Sequence, residues 1–362
     1  MKNINIIIIF LLIFFGCNKE QPVESSGNGN SHLPEDTLYV GGSFSLAGDN
    51  AVNNIAFWDG TDWYSLGAGI TGRNVDVECM INYKGDLYVG GFIDSAGGKD
   101  AKNIAKWDGN EWSSVGSGIN GRVTSLAVYK DELYAGGLFS NAGGTNADNI
   151  AKWNGATWSS VGEGLSDEVY TLCIYNDELY AGGWFKKNYS GNFNANNIAK
   201  WNGVNWDTIG SGVDTGDWIK TLTVYNNELY ATGNFSKCGN IAVHNIAKWN
   251  NSIWQSVDST MLSNRIYVSA IYKNELHLAG QESNSNDLPY YAVWNGTDWD
   301  FNKFSFDNWP NCLYSSSNFL YVGGLFTTVN GKNVNGIFKW DGTSIQNFGS
   351  GVQGYVSSVL LK

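Results

Sequence analysis

The sequence predicts an all-β chain folded as a seven-bladed β-propeller of four-stranded blades. Three observations predict it. The marker Leu-Tyr-x-Gly-Gly, or a close variant, begins at Leu38, Leu87, Leu133, Leu179, Leu229, Leu276 and Leu320, at spacings of 44 to 50 residues. A ten-residue unit, clearest as Asn103 to Trp112, recurs once with each marker. The segments between turn signals alternate or run apolar over lengths suited to strands, with no helical period. A period of this size built from several short strands is the signature of a propeller blade.

Taken in order, the chain opens with Met1-Lys2-Asn3 and an apolar run, Ile4 to Phe15, that ends at Gly16-Cys17. The run is too short to span a bilayer and has the form of a signal-peptide hydrophobic region. A small residue just before the first cysteine resembles the lipobox of bacterial lipoproteins, although Phe14 stands where leucine is usual. That resemblance implies a signal peptide over 1–16 and a lipid on Cys17, hence a place in the cell envelope, at the outer membrane or the cell surface. A secretory signal cleaved without lipid is the plainer alternative. Asn18 to Glu35 is polar and aperiodic, so 17–36 is expected to be a flexible tether with a reach of roughly 20 to 25 Å. The propeller then occupies 37–362.

One complete unit, Val123 to Gly164, shows the expected strands. Val123 to Tyr129 comes first, a short turn at Lys130-Asp131-Glu132 follows, and Leu133 to Phe139 is second. A Gly/Asn loop from Ser140 to Asp148 precedes a hairpin of Asn149 to Asn154 and Thr157 to Val161. In that hairpin a tryptophan ends one strand, Asp-Gly or Asn-Gly opens the turn, and a second tryptophan starts the return. The dipeptides suggest type I′ geometry, in which both central residues have positive φ. The first tryptophan recurs at Trp58, Trp107, Trp153, Trp201, Trp249, Trp294 and Trp340, and the second at Trp63, Trp112, Trp158, Trp206, Trp254 and Trp299, with Ile345 in the seventh copy. Thirteen of the sixteen tryptophans at two repeat-equivalent positions indicate packing rather than separate binding sites.

The chain enters the repeat at a second strand, Leu38 to Phe44, and stops after a first strand, Val356 to Leu361. The last strand is therefore expected to pair with the first blade and close the ring, which removes exposed edges. Four-stranded units with Gly-Gly ending the second strand and tryptophan starting the fourth resemble the kelch and galactose-oxidase class of propellers. The resemblance covers 37–362 and is one of fold. Kelch units carry a longer hairpin before their tryptophan, whereas Trp107 and Trp112 are five apart, which places the chain among repeat propellers of bacterial surface lipoproteins.

A net charge of −12 with no basic cluster argues against nucleic acid and bare anionic membrane as partners, leaving the lipid anchor as the membrane contact. Cys79, Cys173, Cys238 and Cys312 follow no paired spacing, so neither a disulfide framework nor a metal site is expected, and no cofactor. There are three histidines, too few for a galactose-oxidase copper centre, and His244 and His277 read as structural substitutions. Departures from the repeat are where function should sit. The position entering each first strand reads Asp76, Arg122, Glu168, Trp218, Arg265, Asp307 and Tyr355, a mixed-charge funnel with two aromatics. Beside it stand Tyr189 in the longest loop, Trp309 on an entry segment, and Tyr290 where the repeat has asparagine. Trp184 is read as packing, since Phe92, Leu138 and Leu325 are its equivalents.

The expected function is a monomeric, surface-anchored, non-catalytic binding or scaffold propeller. It would recognise a glycan or a protein through Trp218, Arg265, Tyr290, Asp307, Trp309 and Tyr189. Exposed aromatics offer flat apolar faces and nearby polar groups orient a ligand. The alternative is a carbohydrate-active enzyme, a lyase, hydrolase or mutarotase, using Asp307, Arg265, Glu168 or Arg122 in the funnel.

Overall fold

The computed structural model describes residues 37–188, 191, 193–214, 216–257, 265–282 and 288–362. Cys17, the expected tether and Tyr189 lie outside the described residues. Among those described there is no helix, and the repeating element is a four-stranded antiparallel sheet. In one copy the order is Arg122–Tyr129, Glu132–Leu138, Ile150–Trp153, Trp158–Ser160, within one or two residues of expectation. The first strands of the other sheets include Asp76–Tyr83, Val169–Tyr175, Trp218–Tyr225, Arg265–Tyr272 and Pro310–Ser315. The chain's last strand, Val352–Leu361, pairs with its first described strand, Leu38–Ala47, from Leu38↔Leu361 to Ala47↔Val352. The Gly/Asn loop is not wholly irregular, because Asn141–Ala142 and Thr145–Asn146 pair as a small hairpin.

The tryptophan hairpin does not take the expected type I′ turn. The turn between first and second strands is the one with two positive φ values, Lys130 at 49° and Asp131 at 61°, closed by the pair Tyr129↔Glu132. In the tryptophan hairpin only Gly109, at 97°, is left-handed, and four residues separate Trp107 from its partner Trp112. The correction has a physical reason. The Asp108 carboxylate accepts the backbone N–H groups of Asn110 and Glu111, both at 2.8 Å, so an Asx turn sets the loop. Asn154, Asn202, Asn250, Asn295, Asp59 and Asp341 accept the same two amides in their copies.

The core lies between sheets rather than within one. Tyr83, Tyr88 and Ile104 of one sheet cluster with Val123, Leu133 and Trp153 of the next. None of the thirteen hairpin tryptophans is exposed. The second tryptophan also donates its indole N–H to the preceding unit: Trp112 to the carbonyl of Leu66 at 2.8 Å, Trp158 to Val115 at 2.9 Å, Trp206 to Val161 at 3.0 Å. Tyrosines ending the first strands reach forward, Tyr129 donating to the Asp177 carbonyl at 3.0 Å and Tyr175 to Asn227 at 2.9 Å.

The Gly-Gly marker follows from this packing. A Cβ on Gly136 would lie 2.7 Å from Val169 Cγ1 on the next first strand, and one on Gly137 would collide with the Arg122 carbonyl. Both positions are forced small by what they face.

Candidate functional site in the central cavity

Successive first strands lie side by side and wall a cavity of about 670 Å³. Each carries a β-bulge at one repeat-equivalent place, where a residue is left out of the ladder. A bulge re-aims the extra side chain, and here every extra residue lines the cavity. Glu78, Thr124 and Ser357 stand on one side, Tyr170, Lys220 and Tyr267 on the other, with Asn311 between. Below them Met80, Leu126, Leu172 and Leu222 supply apolar surface.

Charge and aromatic surface are segregated around the wall. On the polar side Arg122 Nε donates to Glu78 Oε1 at 2.5 Å, and its Nη1 reaches Glu168 Oε1 at 3.4 Å. Asp76 accepts from the Ser357 hydroxyl at 2.6 Å. Burial pushes the Asp76 carboxyl up to about 6; the Ser357 hydrogen bond opposes this, the Glu78 charge adds to it, and Arg122 opposes it. Burial likewise pushes the Tyr355 hydroxyl up to about 12. On the aromatic side the rings of Trp218 and Tyr267 stack at 5.8 Å and 10°, with Tyr170 edge-on to Trp218 at 6.3 Å. The Tyr267 hydroxyl donates to Gln281 Oε1 at 3.0 Å. Lys220 Nζ sits over the Tyr170 ring, 4.3 Å from its centroid.

Of the residues expected to bind ligand, Trp218 and Trp309 line the cavity together, Trp309 being 36% exposed. Arg122, Asp76 and Tyr355 from the entry position line it as well. Arg265 is exposed and pairs in register with Gln281, outside the lining. Tyr290 is 8% exposed and packs in the core against Phe301, with no hydrogen-bond partner for its hydroxyl among the described residues, so it is not available to an outside ligand.

Asp307 does not hold the entry position of its strand. The register Pro310↔Gly324 matches Val123↔Gly137, which makes Trp309, not Asp307, the equivalent of Arg122. Asp307 instead accepts the backbone N–H groups of Thr327 and Thr328, each at 2.9 Å, as Asn120 does for Ser140 and Asn141. It fastens a loop hairpin. The sequence reading sits two residues too early: the strand here starts at Pro310, and Trp309, which holds the entry position, was taken for a separate residue on the entry segment.

Sequence reasoning also missed the bulge residues themselves. Their signal was present: Glu, Thr, Tyr, Lys, Tyr, Asn and Ser occupy one repeat-equivalent position, which is polar or tyrosine in every copy. Trp184 was misread too. It is 47% exposed, and its equivalents Phe92 and Leu138 are 43% and 49% exposed, so these consecutive sheets carry an apolar rim beside the cavity mouth. The backbone N–H of Trp184 donates to the Glu168 carbonyl at 2.9 Å, which places it next to the charged entry residues.

The remaining chemistry is structural. His277 is fully buried, its Nδ1 at 2.8 Å from the Tyr291 hydroxyl, and burial pulls its pKa down to about 3. Cys79, Cys238 and Cys312 are free thiols, all pushed up by burial.

No family model matches the chain, and no curated protein matches it. Among solved structures it is similar to the computationally designed Ika8 protein, with a TM-score of 0.54 at 14% identity over 90% of this chain and 91% of that one. It is also similar to a candidate 6-phosphogluconolactonase from Bacteroides uniformis, with a TM-score of 0.52 at 7% identity over 90% of this chain and 98% of that one. At such identities the likeness is one of fold alone and, with the four-stranded antiparallel sheets, it is that of a β-propeller.

Proposed function

We propose that the chain is a surface-anchored, non-catalytic binding propeller whose central cavity receives a glycan. In this reading the sheets are seven blades of the kelch and galactose-oxidase class. The pairing of Val352–Leu361 with Leu38–Ala47 supports a ring closed by both ends of the chain. Anchorage rests on the apolar run Ile4 to Phe15 and on Cys17 as the lipidated residue.

One observation carries the glycan reading: an aromatic wall of Trp218, Tyr267, Tyr170 and Trp309 faces a wall of hydrogen-bonding groups across one open cavity. Sugars present apolar ring faces and polar edges at once, so a site divided in this way matches both. Isothermal titration of the intact protein against a panel of neutral and acidic oligosaccharides is the test, with Trp218→Ala and Trp309→Ala as controls. Binding that both substitutions weaken supports the assignment. Binding that survives both unchanged moves the site elsewhere.

A second reading, a carbohydrate-active enzyme, draws support from Asp76 and Glu78. They lie two residues apart on one strand and both line the cavity, and burial raises Asp76 into the range of a general acid at mild pH. Turnover of any panel sugar that Asp76→Asn abolishes would favour this reading over simple binding.

A further inference from the structure

Lys220 is the bulge residue of Trp218–Tyr225, two positions beyond Trp218, and it lines the cavity. Its surroundings are one-sided. Tyr170 lies beneath the ammonium and Tyr267 stands on the neighbouring strand. The carboxylates of Glu78 and Glu168 are both engaged by Arg122, and that of Asp76 by Ser357. No carboxylate forms an ion pair with Lys220 among the described residues. Burial, and then the Arg122 charge, hold Lys220 below the ordinary lysine range, against a weaker pull from Glu78 and Glu168. A desolvated cation lacking its own counter-ion is costly unless something supplies the opposite charge.

We propose that Lys220 is an anion subsite, and that the cavity selects an acidic sugar whose carboxylate or sulfate pairs with the Lys220 ammonium while its ring lies along the aromatic wall. This deepens the glycan reading and rests on it. The repeat supports it by contrast, because the other bulge residues are neutral apart from Glu78, which Arg122 already neutralises. Lysine at this one position is therefore a departure that packing does not require.

The experiment titrates the intact protein with three size-matched probes: an oligogalacturonate, a sulfated galacto-oligosaccharide and a neutral galacto-oligosaccharide. The expected order places at least one acidic probe above the neutral one, by about tenfold to a hundredfold, as a charge-assisted hydrogen bond would give. The two acidic arms identify carboxylate or sulfate as the group held. Lys220→Met should erase that advantage, leaving acidic and neutral probes equal. Lys220→Arg should keep part of the advantage, which a purely structural lysine would not predict. If the neutral probe binds as well as both acidic probes and Lys220→Met changes neither, the anion subsite is overturned while glycan binding stands. If no probe binds, the glycan reading falls and the subsite falls with it.

Discussion

The Trp63 indole N–H donates to the backbone carbonyl of Phe348 at 2.9 Å, although 285 residues separate them. It is the same bond that Trp112 makes to Leu66 and Trp158 to Val115, where the donor follows the acceptor by 46 and 43 residues. The contact of Trp63 with Phe348 is thus built like the contacts between consecutive repeats.

That equivalence can be measured. Trp63→Phe removes the indole N–H together with part of the buried ring and leaves the Phe348 carbonyl unpaired, which should cost about 1 to 3 kcal/mol in urea unfolding. Trp112→Phe should cost about the same. A much smaller loss at Trp63 would show that its contact contributes less than the others.

Gly136 tests the spacing between neighbouring sheets. Gly136→Ala places a methyl against Val169 and should destabilise by about 1 to 3 kcal/mol through overpacking. Combining it with Val169→Ala should recover part of the loss, giving a favourable coupling in a double-mutant cycle. Strictly additive losses would mean that backbone strain, not the Val169 contact, requires the glycine.

Asp108 tests the Asx turn. Asp108→Ala removes the acceptor for two backbone amides and should cost about 1 kcal/mol, whereas Asp108→Asn should be nearly neutral, because asparagine serves at Asn154. Equal losses for both would point to charge rather than turn geometry.

His277 makes the fold acid-sensitive. Its pKa is lowered from 6.5 to about 3 by burial, so between those values the unfolded chain binds the extra proton. The contribution is present above pH 6.5 and is lost as pH falls towards 3, at up to about 1.4 kcal/mol per pH unit. His277→Phe forfeits the Tyr291 hydrogen bond but should flatten this limb. An unchanged acid slope in urea titrations would assign the sensitivity to other groups.

Asp76 works in the opposite sense. Its carboxyl is raised from 3.8 to about 6, so its contribution is full below 3.8 and is lost as pH rises through 6. Carbon NMR should place its midpoint near 6, and Arg122→Gln should move that midpoint upward by removing a charge that lowers it. A midpoint in the ordinary carboxylate range would mean that solvent reaches the carboxyl freely.

What was legible in the sequence was everything local and repeated. Strand length, turn residues and the marker Leu-Tyr-x-Gly-Gly each act over a few residues, and repetition averages away the ambiguity of any one copy. The all-β class, the four-stranded unit and the buried hairpin tryptophans followed from that. Even there, local chemistry misled once: the Asp-Gly dipeptide read as type I′, although the five-residue spacing of Trp107 and Trp112 leaves a four-residue loop, which the Asp108 carboxylate closes as an Asx turn.

The site was decided by tertiary structure. Which side chain faces the cavity depends on a bulge that inserts one unpaired residue into a period of two, so Tyr170, Lys220 and Tyr267 point inward where simple alternation gives no warning. Whether Trp184 is exposed and Tyr290 buried depends on which neighbouring sheet covers each. Repetition fixes what every copy shares. Only the assembled sheets fix where the unshared side chains meet, because those contacts join residues of different repeats across one cavity.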